Sequence, residues 1–420
     1  MRVISLLSLA SCAGAIRHQV SLQSSSSPDS CLWRPPPPRL ACGIDEIEVS
    51  SKARVKSASK SPPPSKWEGP RGCVEQYCIF SNQGFEGGRG IVAVTTNANI
   101  QNLKALEKKG SAASTAQPAS SSGNRPAYYI AKVPGKGLGL ISNTTLHRGD
   151  VLMKHTPAVL IHRTFFETIH PATQAPLLKT AISHLPSALR KAFFSQMGHF
   201  GDQAHKINDI LATNSFQMNL GGHDGHHYGN FPEVSRFNHD CRPNVAFYLG
   251  GGGADDLTHT TTVVRDVQPG EELSISYLDS FAPCEERQQR TFEAWGFSCS
   301  CSQCALSKGQ VKKSDKRLKE IKEIEVKLSD FSGRVTGAIL KKLAKLYDEE
   351  RLDANRAGGL TLIALNYNML GDEKNAKRYA RLAREALVIE NGPGAGDVSA
   401  MEELERDPRG HFTWRGRVGR

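Results

Sequence analysis

Two segments of the chain carry side chains suited to ligand binding and group transfer. Residues 235–244 read Ser-Arg-Phe-Asn-His-Asp-Cys-Arg-Pro-Asn, which places Asn238 beside His239. Residues 270–277 read Gly-Glu-Glu-Leu-Ser-Ile-Ser-Tyr, a short apolar strand that ends at Tyr277. Alone, an Asn-His pair indicates an ordinary turn and a tyrosine at a strand end indicates core packing. Only the joint occurrence of these segments, in this order, makes a functional interpretation specific.

Three cysteines follow with the spacing of a metal-binding knuckle. Cys299, Cys301 and Cys304 are separated by one and two residues, so each sulfur can reach one corner of a tetrahedron. A closed structural zinc site takes four protein ligands, and this run supplies three. The sequence therefore predicts a zinc site that needs one more ligand. Disulfide bonds are the alternative use of these cysteines.

Together with Trp295-Gly296-Phe297, these segments resemble the SET-domain protein lysine methyltransferases. The hallmark of that family is Asn-His-x-Cys-x-Pro-Asn, then Gly-Glu-Glu-Leu-x-x-x-Tyr and a cysteine-rich post-SET segment. The resemblance covers residues 127–305 and implies an S-adenosylmethionine-dependent protein lysine N-methyltransferase acting on a histone or non-histone protein. The alternative is a catalytically silent SET scaffold that binds protein partners through a helical module. An intact Gly-x-Gly turn and Tyr277 favour the enzyme.

The resemblance also implies roles for individual residues. Tyr277 is the candidate catalytic residue, with its hydroxyl beside the reacting methyl group and amine. The candidate cofactor-binding residues are Lys136, Gly137, Leu138, Gly139, Asn238, His239, Tyr277 and Phe297. Asp240 stands where many relatives have serine, which adds a charge beside the pocket. A second glycine-rich stretch, residues 84–90, is interpreted as a tight turn.

The resemblance implies that the fourth zinc ligand is Cys241, so that the candidate metal ligands are Cys241, Cys299, Cys301 and Cys304. The metal would then hold the C-terminal segment over the active site and close the lysine channel. Cys284 is the rival fourth ligand. A pair of disulfides is the rival to zinc altogether.

The ends and linkers of the catalytic region carry further predictions. Residues 1–15 have a short positive start, an apolar run and a small-x-small site, which predicts a signal peptide; a disordered start is the alternative. If used, it directs the protein to the secretory pathway or outside the cell; otherwise a nuclear or cytoplasmic location is expected. Residues 16–72 are predicted to be a Pro/Ser-rich linker. The four cysteines in this linker and just after it are Cys31, Cys42, Cys73 and Cys78. They are expected either to form two disulfides or to remain free thiols.

The remaining boundaries follow from composition and periodicity. Residues 73–125 are predicted to be an N-terminal extension and linker, with a strand at 91–94 and a polar linker at 103–123. The SET plus post-SET domain is expected at 126–305, interrupted by helices at 176–194 and 202–216. This interruption has no cysteine, so it holds no MYND finger. The glycine- and histidine-rich stretch at 221–227 is interpreted as a loop rather than a metal cluster.

A helical module resembling tetratricopeptide repeats is predicted at 306–395, with its best pair of helices joined at Gly371-Asp372, and a tail at 396–420. The predicted fold class is α+β: a SET-domain β-clip pseudoknot with a helical insertion and post-SET zinc segment, followed by an all-α module. This combination is similar to fungal SET proteins and to the SET-and-MYND family without its finger. The net charge of +11 and pI of about 9.1 indicate a solvated surface rather than a specific nucleic-acid site. No apolar run is long enough for a membrane span.

Overall fold

The described strands form three main sheets, of six, four and three strands, and one two-stranded pair. The structure, a computed structural model, describes residues 65–110, 120–121, 125–199, 205–222, 224–250, 257–331 and 333–418. The predicted signal peptide and most of the predicted linker at 16–72, with Cys31 and Cys42, lie outside the described residues. The strands are β1 (Glu68–Val74), β2 (Tyr77–Asn82), β3 (Ile91–Thr95), β4 (Ser120–Ser121), β5 (Arg125–Pro126), β6 (Tyr128–Val133), β7 (Gly137–Ser142), β8 (Val151–His155), β9 (Val159–His162), β10 (Ser215–Asn219), β11 (His226–Asn230), β12 (Asn238–His239), β13 (Val245–Leu249), β14 (His259–Val263) and β15 (Glu272–Ile275).

Helices occur between these strands and, after the last strand, make up the regular structure of the C-terminal part of the chain. They are α1 (Phe85–Gly88), α2 (Asn97–Gly110), α3 (Arg163–Thr168), α4 (Pro171–Ser183), α5 (Ser187–Phe194), α6 (Lys206–Asn214), α7 (Cys284–Trp295), α8 (Lys308–Ser329), α9 (Gly337–Glu349), α10 (Ala357–Met369), α11 (Glu373–Asn391) and α12 (Gly396–Arg406). The combination of mixed sheets and helices confirms the predicted α+β class. Within the described residues, no helix is long and apolar enough to cross a membrane.

The N-terminal extension forms part of a six-stranded sheet with the order β1-β2-β3-β9-β11-β10. Strand β1 begins at Glu68, inside the predicted linker, and a disulfide joins its Cys73 to Cys78 of β2. The free-thiol alternative is therefore wrong for this pair. The predicted linker at 103–123 is also wrong over its first residues, because α2 extends to Gly110. Three buried side chains hold α2 on the core; they are Ile100, Leu103 and Leu106.

The helices of the insertion begin and end at other residues than predicted. The pattern over residues 176–194 predicts one helix, but α4 ends at Ser183 and α5 begins after Pro186. Proline has no backbone N–H and restricts the residue before it, so it suits the start of a helix and not its interior. The second predicted helix, 202–216, ends two residues early because Ser215 starts β10.

A four-stranded sheet with the order β12-β15-β7-β6 positions the predicted site residues. Strand β12 pairs in parallel with β15, and β7 pairs with the other edge of β15. Asn244, directly before β13, donates to the carbonyl oxygen of Glu272 at 2.8 Å and accepts from the N–H of Ser274 at 2.9 Å. The Asn-His segment is thereby fixed beside the strand that leads to Tyr277.

Helices α8 to α12 form the C-terminal module. The predicted junction is present: Gly371 has a φ of +75°, and the Asp372 side chain accepts from the N–H of Asn375 to begin α11. A further helix, α12, occupies the start of the predicted tail, because Val398, Met401 and Leu404 give it an apolar stripe that is buried. The similarity to tetratricopeptide repeats stays a prediction.

Candidate active site and cysteine cluster

The carboxylate of Glu272, in β15, contacts both the glycine turn and Asn238. Glu272 accepts from the Asn238 side-chain amide at 2.8 Å, and its other oxygen pairs with Lys136 Nζ at 2.7 Å. A Cβ at Gly139 would lie 2.7 Å from the Asn238 amide nitrogen, so only glycine lets β7 approach this closely. The structure therefore brings Lys136, Gly139 and Asn238 together. Leu138, between the glycines, is exposed.

Tyr277 lies against the Asn-His segment. Its hydroxyl donates to the carbonyl oxygen of Phe237 at 2.6 Å, and its N–H donates to Nδ1 of His239 at 3.1 Å. Burial, and to a lesser extent the charge of Glu272, raises the pKa of Tyr277 well above that of a free tyrosine. The hydroxyl therefore keeps its proton at neutral pH and acts as a hydrogen-bond donor.

His239 connects this site to the cysteines. Burial lowers the pKa of His239 to about 4, so the imidazole is neutral at physiological pH. Because Nδ1 accepts the Tyr277 N–H, the ring proton belongs on Nε2, which lies 3.4 Å from Sγ of Cys241. Asp240, between them, has its pKa raised to about 6, first by burial and then by the negative charge of Cys301.

Four cysteines converge at this point from segments almost sixty residues apart in sequence. Sγ of Cys241 lies 4.0 Å from Sγ of Cys299 and 3.6 Å from Sγ of Cys304. The sulfurs of Cys241, Cys299, Cys301 and Cys304 all lie within 4.8 Å of one another. Zinc–sulfur bonds of about 2.3 Å arranged tetrahedrally separate sulfurs by about 3.8 Å, whereas a disulfide bond is about 2.05 Å long. The spacing therefore fits a four-thiolate metal site and not disulfides.

Cys284 does not belong to this cluster. It begins α7, where its N–H donates to the carboxylate of Asp315 at 3.0 Å. The four-cysteine group is the one group of metal-ligating side chains found in the described residues. The predicted loop at 221–227 ends in strand β11, where the ring nitrogens of His227 contact the Gly225 carbonyl and the Thr95 hydroxyl, each at 2.7 Å.

A buried arginine lies next to the cysteine cluster. The Arg287 side chain is only 1% exposed, and within the described part of the chain it forms no ion pair with a carboxylate. Burial alone would lower the pKa of Arg287, but the charges of Cys241 and Cys304 and a hydrogen bond to Cys241 raise it. A buried cation needs a nearby anion. Thiolates bound to a metal next to Arg287 would provide that anion, so the residues fit zinc.

Aromatic side chains enclose Tyr277 and His239. The ring of Trp295 lies 5.2 Å from that of Tyr277, and its indole N–H donates to the carbonyl oxygen of Thr213. Phe297 lies 6.2 Å from His239 and packs against the cysteines. These rings form an apolar surface beside Tyr277 and His239.

Three neighbours of the site were missed as functional residues from the sequence. Glu272 stands in the Gly-Glu-Glu-Leu motif, and Trp295 is two residues before Phe297, so their positions next to assigned residues were usable indications. Arg287 lies in α7 and carried no such indication.

Comparison with known proteins identifies the region that contains these residues. Residues 137–278 match the family described as SET domain. The chain is 26% identical over 293 residues to histone-lysine N-methyltransferase set5 of Schizosaccharomyces pombe, which covers 68% of this chain and 85% of that relative. It is 35% identical over 99 residues to N-lysine methyltransferase SMYD2-B of Danio rerio, and 34% identical over 124 residues to N-lysine methyltransferase SMYD2 of Homo sapiens. Those two alignments span 22% and 26% of the relatives' lengths.

Proposed function

We propose that this SET-domain chain is a protein lysine N-methyltransferase that uses S-adenosylmethionine as methyl donor. The observation that supports this most directly is the position of the Tyr277 hydroxyl, 2.6 Å from the carbonyl oxygen that precedes Asn238 and His239. The residue types, their order and their convergence are those expected for methyl transfer to an amine. The relatives that are named as lysine methyltransferases support the same reaction class.

When bound, S-adenosylmethionine supplies an electrophilic methyl group on a sulfonium. The chain's own residues then have two tasks: to hold that donor and to align a neutral lysine with it. Asn238 and His239 present fixed polar groups beside the glycine turn, and Glu272 holds Asn238 in place. The protonated Tyr277 hydroxyl orients the reacting groups without taking up a proton itself.

The lysine must arrive without its proton, because an ammonium has no lone pair with which to attack. Desolvation disfavours the charged form of an amine and lowers its pKa. The rings of Tyr277 and Trp295 provide such surroundings. We therefore infer that this aromatic wall shifts the target lysine toward the neutral, attacking form.

Zinc has a structural role in this proposal. Cys241, Cys299, Cys301 and Cys304 would hold it, and its chemistry would be to fix the C-terminal cysteine run onto the Asn-His segment. His239 donates toward Cys241 and Phe297 packs on the same cluster, so one closed site orders residues on both sides of the donor pocket.

The experiment that tests the function is methyl transfer to lysine. Zinc-loaded full-length protein is incubated with methyl-labelled S-adenosylmethionine, core histones and a library of lysine-containing peptides, and label is located by mass spectrometry. We expect label on lysine with the unmodified protein and almost none with Tyr277→Phe. Equal labelling by the two proteins, or none by either, contradicts the proposal.

A further inference from the structure

A buried ion pair joins the Asn-His segment to the C-terminal helical module. Nη2 of Arg242 lies 2.8 Å from Oε2 of Glu350, and the two side chains are 2% and 0% exposed. Glu350 directly follows α9, so it comes from a separate part of the chain. Removing two charges from water costs several kcal/mol per ion unless other hydrogen bonds satisfy both partners.

Arg242 uses its remaining donors on the backbone around the cysteine cluster. Nη1 donates to the carbonyl oxygen of Cys241 at 2.7 Å and to that of Ser280 at 3.1 Å, and Nε donates to the carbonyl oxygen of Glu350. The guanidinium thus holds the peptide group of a candidate zinc ligand directly. Its planar set of donors suits this role better than a lysine would.

Glu350 also contacts the other half of the cluster. Its carboxylate accepts from the Ser314 hydroxyl at 2.7 Å, from Arg317 at 2.6 Å and from the Gln303 amide at 3.4 Å. Gln303 lies between Cys301 and Cys304. The Glu350 carboxylate is therefore hydrogen-bonded both to Arg242, which follows Cys241, and to Gln303, which lies within the cysteine run.

Arg351, the residue after Glu350, also contacts the cysteine run. Nη2 of Arg351 donates to Oε1 of Gln303 at 3.1 Å and to the Ser302 hydroxyl at 3.3 Å. The end of α9 therefore contacts both residues that separate Cys301 from Cys304. A helix end that served only to pack the module would not need polar contacts concentrated on this run.

We propose that Glu350 is a positioning residue for the zinc and methyl-donor site, and that the helical module is an integral part of that site rather than an independent attachment. The inference rests on the proposed function. Glu350 acts through Arg242 on the Cys241 peptide and through Gln303 on the cysteine run. Loss of its charge should loosen both halves of the cluster together, so that zinc dissociates faster and the donor binds more weakly while turnover at saturating donor changes less.

Full-length Glu350→Gln is compared with Glu349→Gln, its matched control. Glu349 is the neighbouring residue, is 40% exposed and pairs with Lys345 at 3.5 Å and more distantly with Arg317 at 3.7 Å. Zinc release to a chelator and S-adenosylmethionine affinity by calorimetry are the two readouts, and neither requires a methylated product. We expect roughly a 10-fold change in both for Glu350→Gln, as for other residues that support metal ligands, and less than about a twofold change for the control.

A double variant separates positioning from stability. Arg242→Met/Glu350→Leu removes both charges of the fully buried pair, and the partly exposed Arg317 keeps Glu349 as a partner at 3.7 Å. The double variant should therefore recover most of the thermal stability lost in Glu350→Gln. Zinc release should nevertheless stay fast and donor affinity weak, because the Cys241 peptide has lost its donor. Full recovery of both readouts along with stability would overturn the inference.

Other outcomes are also decisive. If Glu350→Gln does not fold, exposed Arg351→Met tests the same contacts to Ser302 and Gln303, and unchanged zinc release in that variant would refute the positioning role. If the unmodified chain binds neither zinc nor S-adenosylmethionine, the proposed function itself fails. If it binds both, and Glu350→Gln behaves like Glu349→Gln, only this further inference fails.

Discussion

The Tyr277 hydroxyl donates a 2.6 Å hydrogen bond to the carbonyl oxygen of Phe237, the residue immediately before Asn238. The parallel pairing of β12 with β15 brings the two segments together, with Asn238 opposite Ser274 and His239 opposite Ile275, two residues before Tyr277. The candidate catalytic tyrosine and the candidate donor-binding pair are thereby held as one unit.

Removal of this hydroxyl should affect turnover far more than folding. Tyr277→Phe loses one hydrogen bond, which contributes about 1 kcal/mol to stability. Misalignment of the reacting groups is expected to lower methyl transfer by roughly 100-fold or more. Single-turnover rates at saturating S-adenosylmethionine measure this loss, with calorimetry showing that donor affinity is retained. Wild-type rates in the variant would show that Tyr277 has been misassigned.

Glu272 should control donor affinity without touching the reacting atoms. Glu272→Gln removes the charge that pairs with Lys136 and weakens the acceptor that holds Asn238. Charge-assisted hydrogen bonds are worth about 1.5–3 kcal/mol, so the dissociation constant of S-adenosylmethionine should rise about 10-fold or more. Calorimetry measures it, with the exposed Glu286→Gln as control. An unchanged constant would mean that Asn238 keeps its position without Glu272.

His259 should make the protein less stable as the pH falls. The residue is fully buried among three phenylalanines, and among the described residues neither of its ring nitrogens has a hydrogen-bond partner. Burial lowers its pKa to about 3, below the usual 6.5. Between these values the unfolded chain takes up a proton and the folded chain does not, so this contribution to stability is lost as the pH falls from 6.5 toward 3.

His259→Leu should therefore flatten the pH dependence of the free energy of unfolding between pH 4 and 7. It should also raise stability by about 1–3 kcal/mol, because two unsatisfied polar atoms disappear. Urea denaturation at several pH values measures both effects. His226→Leu, at an exposed strand position, should keep the wild-type slope. A destabilised His259→Leu with an unchanged slope would contradict the explanation.

The metal assignment makes opposite predictions for two cysteines. Cys241→Ser should lose zinc and weaken donor binding together, because His239 contacts Cys241 and Phe297 packs on the same cluster. Cys284→Ser should do neither, since Cys284 lies outside the cluster. Elemental analysis of the two purified variants decides this. Zinc retained in Cys241→Ser but lost in Cys284→Ser would overturn the assignment.

The sequence is most informative where residue type alone limits the geometry. The Cys299-x-Cys301-x-x-Cys304 spacing by itself indicates a metal knuckle, and the family motif points to Cys241 as its fourth member. Glycine at position 139 predicts close approach of the backbone, and the structure places the Asn238 amide nitrogen only 2.7 Å from where a Cβ would be. The assignments as metal and cofactor ligands stay predictions.

Interactions between distant segments are not predictable in this way. Arg242 and Glu350 are 108 residues apart, and an arginine in a motif or a glutamate after a helix looks like a surface charge until the fold buries both. Helix α2 was missed for a local reason: its buried positions are few, and the polar residues around Leu103 and Leu106 resemble a linker. Only the burial of these leucines in the folded core distinguishes a helix from a linker.

The most direct test of the account is calorimetric titration of the zinc-loaded full-length chain with S-adenosylmethionine. Fixed polar groups from Asn238 and His239, held by Glu272 and Cys241, should bind one molecule per chain, and Asn238→Ala should weaken that binding strongly. We predict saturable one-to-one binding that is lost when zinc is removed by chelation. A folded, zinc-loaded protein that binds no S-adenosylmethionine would contradict the proposed function.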